Sequence, residues 1–235
     1  MRVLFLAAYT SRSRAYAQAM ACGGINPDAV LYFGDAGRDV GLDLPVSADA
    51  EAQIGASLVD PRITLCETVA LAGWPAEHCD AESVNSPELM ARIQAHAPDL
   101  VIYSGYGGQL IKAEVLALGP FLHVHSGWLP DHRGSTTLYY SWIERGDCAA
   151  SALLLDPRID GGPTLLRKRF PPPPPGLDVD HVYDGTIRAN VMVDVLQHVR
   201  RTGALPTPVP EEGSGSVYYV IHPVLKHLAL LQNER

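Results

Sequence analysis

The sequence has 235 residues, 47% hydrophobic and 19% charged, and its formal net charge of −8 argues against a surface built to bind the phosphate backbone of nucleic acid. Four cysteines without CxxC spacing argue against a zinc ribbon or a disulfide scaffold, and no stretch has the pattern of a signal peptide or a membrane span. We therefore expect a cytoplasmic protein with one compact domain, or one domain with a short appendage, that binds neither nucleic acid nor membranes.

The first part of the chain alternates between strand and helix patterns. Continuous apolar runs predict buried strands, and helical spacing between them predicts helices, one of which starts at Ser86-Pro87-Glu88. This rhythm is typical of an α/β fold in which helices connect parallel strands. The predicted elements are strands at 3–8, 29–33 and 100–103 and helices at 13–21 and 86–97.

The second part continues this pattern as far as a run of prolines. Pro171 to Pro175 must be extended, so they predict a stiff surface connection. We expect one domain at 1–170, followed at 171–235 by this connection, a helix and a C-terminal tail that packs on the same domain. The remaining predicted elements are helices at 114–118, 137–145 and 182–200, strands at 121–125 and 150–155, and a strand and a short helix within 217–231.

His123 and His125 lie on the same side of the predicted strand 121–125, because side chains alternate along a strand. Such a pair can bind a metal ion, for which Asp160 is the nearest third ligand in the chain. It can also carry out acid/base chemistry, or one histidine can be a hydrogen-bonded core residue. The HxH pattern alone leaves these alternatives open.

This pair lies in the second of four segments that follow one another in a specific order. Their order resembles the catalytic domain of the folate-dependent formyltransferases, the family that includes methionyl-tRNA, glycinamide ribonucleotide and sugar-amine formyltransferases. His125, Leu129-Pro130, Arg133-Gly134 and Asp160-Gly161-Gly162-Pro163 match the family pattern, whereas His123 stands where the family has Asn. The segments are IYSGYGGQLIKAEVL (102–116), FLHVHSGWLPDHRG (121–134), SWIERGD (141–147) and LLDPRIDGGPTLL (154–166).

The resemblance implies a Rossmann-like formyltransferase fold, with a mostly parallel sheet flanked by helices and a short C-terminal helix and strand appendage. It also implies transfer of a formyl group from 10-formyltetrahydrofolate to a small amine, such as a nucleotide-linked amino sugar or a secondary-metabolite amine. His125 is the implied acid/base and oxyanion group, and Asp160 is its partner and proton relay. His123 is expected to replace the Asn as a donor or positioner, and losing such a donor costs about 3 kcal/mol.

Binding residues follow from the same resemblance. For the folate the implied residues are Tyr103, Gly105, Tyr106, Leu110, Arg158 and Ile159. For the acceptor they are Ser11, Arg12, Ser13, Ser126 and Gly127. The first three of these open the first helix and form a candidate anion site, although a plain helix cap explains them equally well.

Other outcomes remain open at this point. One alternative is a metal-dependent hydrolase that uses His123, His125 and Asp160 as ligands, and another is a non-catalytic folate-binding module. Because the sequence ends soon after the region of resemblance, we expect no large C-terminal barrel and no tRNA substrate. The C-terminal segment is a candidate surface for a homodimer.

Overall fold

The computed structural model describes residues 1–46, 48–210, 213 and 215–232. Its strands provide a central sheet and a small second sheet. In chain order they are β1 (Val3–Ala8), β2 (Ala29–Phe33), β3 (Ala76–Cys79), β4 (Leu100–Ser104), β5 (Phe121–His125), β6 (His132–Gly134), β7 (Cys148–Leu154), β8 (Thr164–Phe170) and β9 (Ser216–Tyr218).

The central sheet has the strand order β3-β2-β1-β4-β5-β7-β8 in the described residues. Neighbouring strands from β3 to β5 are parallel, while β7 is antiparallel to both β5 and β8. The predicted mostly parallel sheet is therefore confirmed. Because β1, β4 and β5 are parallel, their carboxyl ends lie at one edge of the sheet, where α/β folds bind ligands.

Helices flank the sheet, and local sequence explains where two of them begin. Thr10 and Ser86 accept hydrogen bonds from the backbone N–H groups of Ser13 and Leu89, which caps the first turn of α1 and of α4. The helices are α1 (Ser11–Cys22), α2 (Ala48–Ile54), α3 (Leu65–Leu71), α4 (Pro87–His96), α5 (Ala113–Leu116), α6 (Thr137–Arg145), α7 (Asp184–Thr202) and α8 (Pro223–Leu231).

Both faces of the sheet are covered, which explains the continuous apolar runs in the sequence. Phe5 packs into one apolar cluster together with Tyr16 of α1 and Val195 of α7. Its neighbour Leu4 points the other way, into a second cluster that contains Leu89 of α4. A buried strand of this kind needs apolar residues on both sides, so it lacks the alternation of a half-exposed strand.

The sequence patterns missed β3, β6, β8, α2 and α3. Two of the missed strands, β3 and β8, lie at the edges of the central sheet. In β3 only Cys79 is buried, and β8 carries the charged run Arg167-Lys168-Arg169. An edge strand is partly exposed to solvent and tolerates charged side chains. It therefore lacks the apolar run that predicts an inner strand.

The C-terminal strand and helix are present as β9 and α8. β9 pairs in parallel with β6, and α8 packs against α6. Within the described residues, no helix is both long enough and apolar enough to cross a membrane. The division of the chain at 170/171 stays a prediction, and residues 211, 212, 214 and 233–235 of the predicted tail lie outside the described residues.

Candidate active site

The carboxyl ends of β4 and β5 open into a cavity of about 480 Å³. This volume is in the range of pockets that bind small molecules. The structure brings together most of the residues that the sequence predicted for catalysis and folate binding. The predicted residues that line the cavity are Arg12, Tyr103, Tyr106, Leu110, His123, His125, Arg158, Ile159 and Asp160.

His125 and Asp160 form a pair at the wall of this cavity. His125 is the last residue of β5, and Asp160 follows β7 in a turn where its φ is +45°. Nδ1 of His125 lies 3.4 Å from Oδ1 of Asp160. The second carboxylate oxygen, Oδ2, accepts a hydrogen bond of 2.8 Å from the backbone N–H of Gly134. The carboxylate is therefore oriented by β6 as well as by its own turn.

The second ring nitrogen of His125 faces hydrogen-bond acceptors. Nε2 lies 2.7 Å from the carbonyl oxygen of His132 and 3.0 Å from Oγ1 of Thr137, whose hydroxyl donates to the carbonyl of Ser126. Nε2 therefore carries the proton. Burial lowers the pKa of His125, and the Asp160 carboxylate opposes this shift. A neutral His125 thus has its lone pair on Nδ1, directed at Asp160.

His123 also has a defined tautomer. Its Nδ1 lies 3.4 Å from the carbonyl oxygen of Tyr103, which can only accept, so Nδ1 carries the proton. Burial lowers the pKa of His123 well below its usual value, and the charges of Arg12 and Arg188 add to the effect. The ring is neutral and its free lone pair is on Nε2. This geometry does not favour the donor role that we expected from the family's Asn.

Two exposed apolar side chains line the cavity where it opens to solvent. Leu110 is 63% exposed and Ile159 is 46% exposed, and the rings of Tyr103 and Tyr106 line the wall beside them. A flat aromatic ligand would cover this apolar surface, so these residues fit a pterin. Gly105 does not line the cavity in this structure: a Cβ there would lie 1.8 Å from Oη of Tyr103.

Of the residues predicted to bind the amine substrate, only Arg12 lines the cavity. Arg12 lines the cavity, where Nε donates to Oγ of Ser104 at 3.2 Å and Nη2 donates to the carbonyl of Gly105. Ser13 is buried beneath it and donates to Oγ of Ser104 at 2.8 Å. Ser11 is the first residue of α1 and is outside the lining.

Ser126 and Gly127 do not line the main cavity. Ser126 donates a hydrogen bond to Asp184 and lines a smaller cavity of about 120 Å³. The carbonyl of Gly127 accepts a hydrogen bond of 2.6 Å from Oγ of Ser151. Both residues therefore have hydrogen-bond partners within the protein.

Sequence reasoning missed Arg188, which reaches the cavity from α7. Its Nη1 donates to the carbonyl of Val124 at 2.9 Å, and its Nε pairs with Asp184 at 2.9 Å. The amphipathic pattern of α7 predicted a helix, but no motif marked this residue. The other lining residues that were not predicted as site residues include Gln109, Ile111, Gly134, Ser135, Thr136 and Val220.

Metal binding is not supported by the arrangement of side chains. Among the described residues, no group of three or more His, Cys, Asp or Glu side chains is placed to hold a metal ion. In addition, Nε2 of His125 is occupied by the carbonyl of His132. The three ligands that the hydrolase alternative requires do not converge.

Comparison with known proteins gives one consistent family. The family model described as formyl transferase matches residues 1–195. The methionyl-tRNA formyltransferase of a Roseiflexus species is 29% identical over 144 residues, which are 58% of this chain and 42% of that protein. The chain thus spans less than half the length of the curated relatives named first among its matches.

Solved structures of similar fold have lower sequence identity. A sugar N-formyltransferase from a Shewanella species has a TM-score of 0.60 and 16% identity, over 99% of this chain and 87% of that one. A glycinamide ribonucleotide transformylase from Symbiobacterium toebii has a TM-score of 0.51 and 21% identity, over 83% of this chain and 81% of that one. These likenesses establish the fold.

Proposed function

The chain belongs to the formyl transferase family, and from this we propose that it transfers the formyl group of 10-formyltetrahydrofolate to a small amine. The observation that carries the proposal is the pair of His125 and Asp160 at the wall of the cavity, with 3.4 Å between Nδ1 and Oδ1. The apolar side chains of Leu110 and Ile159 at the mouth suit the pterin ring. When bound, the folate supplies the formyl group.

The attacking amine must lose a proton, and His125 is suited to receive it. Burial lowers the pKa of His125, which favours the neutral imidazole, and the Nε2–H is held by the carbonyl of His132. A proton taken up at Nδ1 produces an imidazolium beside the Asp160 carboxylate, which stabilises it. The orientation of the ring is fixed before the reaction, so little reorganisation is needed.

His123 is proposed as a hydrogen-bond acceptor for the amine. Its Nδ1–H faces the carbonyl of Tyr103, so Nε2 has a lone pair that can accept an N–H of the acceptor. This role orients the amine for attack and replaces the donor role that the family's Asn implied. A histidine in this position therefore suits an acceptor that binds with its N–H group toward β5.

Arg12 and Arg188 support an acceptor that carries an anionic group. Both line the cavity, and in the described part of the chain Arg12 has no carboxylate within ion-pair distance. A phosphate or carboxylate would compensate this charge. We therefore propose a nucleotide-linked or phosphate-bearing amino sugar ahead of an uncharged amine. The same positive charge stabilises an oxyanion that develops during the reaction.

The experiment is calorimetric titration of 10-formyltetrahydrofolate, or a stable analogue, into the wild type and into His125→Ala and Asp160→Ala. We expect all three to bind, because neither side chain belongs to the apolar mouth. The wild type alone should then transfer the formyl group to amines in a panel that includes phosphorylated amino sugars. Absence of binding contradicts the proposal, and binding without transfer to any amine favours the non-catalytic alternative.

We also infer that the C-terminal segment joins two copies of the chain. Val224, Leu225 and Leu228 of α8 are 60%, 40% and 50% exposed, whereas Ala229 packs inward. In a two-fold symmetric pair the same apolar surface covers itself. Light scattering should give the mass of a dimer for the wild type and of a monomer for Leu228→Lys, and a monomeric wild type contradicts the inference.

We also propose that the protein is cytoplasmic. It was expected from the spacing of the cysteines, and Cys22, Cys66, Cys79 and Cys148 are free thiols in the structure. Free thiols suit a reducing compartment. Fractionation of cells that express the protein at its natural level tests this location.

A further inference from the structure

The C-terminal strand β9 pairs with β6, the short strand that forms hydrogen bonds to both proposed catalytic residues. In the parallel pairing of β6 with β9, His132 is opposite Ser216 and Gly134 is opposite Tyr218. The backbone N–H of Ser135 continues the ladder with a hydrogen bond of 2.9 Å to the carbonyl of Tyr218. β9 lies outside residues 1–195, the part that the family model matches.

β6 has one contact to each member of the catalytic pair. The carbonyl of His132 accepts the Nε2–H of His125 at 2.7 Å. The backbone N–H of Gly134, two residues later, donates to Oδ2 of Asp160 at 2.8 Å. The position of this short strand therefore determines the ring orientation of His125 and the orientation of the carboxylate of Asp160.

Tyr218 connects β9 to this strand through a shared carboxylate. Its ring stacks on His132 with 5.3 Å between the ring centroids and an interplanar angle of 21°. Its hydroxyl donates to Oε1 of Glu144 at 3.0 Å, and Nε2 of His132 lies 3.1 Å from Oε2 of the same side chain. His132 is 1% exposed, so Tyr218 and Glu144 together define where it sits.

Gly134 shows how closely the two strands approach each other. A Cβ at this position would lie 2.1 Å from the carbonyl oxygen of Tyr218, and the φ of Gly134 is +101°. Only a glycine permits this contact. The close approach directs the N–H of Gly134 toward Asp160 while the next amide, that of Ser135, bonds to β9.

We propose that Tyr218 is a positioning residue for the catalytic pair: through Glu144 and the pairing of β9 with β6, it holds His132 and Gly134 where they orient His125 and Asp160. The catalytic consequence of this role rests on the proposed function. The geometric consequence, a defined environment for the His125 ring, does not.

The test compares Tyr218→Phe with Tyr219→Phe. The first change removes only the hydroxyl that bonds to Glu144 and keeps the ring on His132. The second removes the same group from the adjacent residue, which is 81% exposed. Glu144→Gln is a second variant that weakens the same link. The readouts are kcat, the Kd for 10-formyltetrahydrofolate and the ¹⁵N resonances of the His125 ring.

We expect Tyr218→Phe and Glu144→Gln to shift or broaden the Nε2 resonance of His125 and to lower kcat on the order of tenfold, with an unchanged Kd for the folate. Tyr219→Phe should match the wild type. If the His125 resonances are unaltered in both Tyr218→Phe and Glu144→Gln, the proposal is overturned whatever their activities or melting temperatures. Because the spectra need no turnover, they decide the matter even if the wild type proves not to transfer formyl groups.

Discussion

Nδ1 of His125 lies 3.4 Å from Oδ1 of Asp160, and neither side chain is more than 12% exposed. At the other side of the ring, the carbonyl of His132 accepts the Nε2–H. The imidazole is therefore held between an acceptor that fixes its tautomer and a carboxylate that stabilises its protonated form. This arrangement is suited to the uptake of one proton at a defined atom.

Asp160→Asn should lower kcat for formyl transfer by about 100-fold. An amide has the shape of the carboxylate but cannot stabilise the imidazolium of His125, and its NH₂ group can occupy the lone pair on Nδ1. The Kd for 10-formyltetrahydrofolate, measured by calorimetry, should stay within about twofold of the wild-type value. Asp147→Asn is the control, since Asp147 pairs with Arg169 at the surface. An Asp160→Asn enzyme with wild-type kcat contradicts the proposed role.

Arg12→Gln should raise the pKa of His123. Burial is the main cause of the low pKa of this ring, and the charge of Arg12 is the next cause, so removing the charge reverses part of the shift. The measurement is an NMR titration of the His123 ring in the wild type and in Arg12→Gln. Arg92→Gln removes a surface charge that pairs with Glu77 and should leave the titration unchanged. A pKa that stays the same in Arg12→Gln means that the guanidinium does not act on His123.

His123 should make the protein less stable in mild acid. The folded pKa of His123 is lowered, so below the unfolded value of about 6.5 the unfolded chain binds a proton that the native state does not. Stability is then lost as the pH falls from about 6.5 toward the folded pKa. Thermal unfolding of wild type and His123→Asn between about pH 7.5 and about pH 5 checks this difference.

The expected result is a smaller fall in melting temperature for His123→Asn than for the wild type. The exposed His227 of α8 provides the matched control, because His227→Asn removes a histidine without removing a buried ring. Equal falls for the wild type and His123→Asn would show that the folded state does not depress the pKa of His123.

Gly134→Ala should be more destabilising than Gly55→Ala. Both glycines have positive φ, +101° and +70°, so both substitutions introduce backbone strain of about 1 to 2 kcal/mol. Only at Gly134 does the new Cβ also meet the carbonyl of Tyr218, at 2.1 Å, whereas nothing lies within 4 Å at Gly55. Gly134→Ala should therefore also accelerate hydrogen exchange of the amides in β6 and β9. Equal unfolding free energies for the two variants would show that β9 does not approach β6 so closely.

Sequence reasoning found most of the inner sheet. The apolar runs at β1, β2 and β4 are nearly continuous, because these strands are covered on both faces, and in β5 apolar residues alternate with His123 and His125. It also found His125 and Asp160 as candidate partners, since their spacing and neighbours resemble a family motif. It did not find β3 and β8, because exposure at the edges of the sheet removes the apolar pattern that predicts a strand.

The sequence by itself determined where apolar residues recur and which residue types follow the strand ends, and those features are local along the chain. Only the tertiary structure decided which nitrogen of His123 and of His125 carries the proton, because the deciding carbonyls belong to Tyr103 and His132. It also decided that Arg188 of α7 reaches the cavity and that Tyr218 of β9 supports β6. Each of these contacts joins segments that are distant in the chain, and it depends on packing geometry that no local pattern encodes.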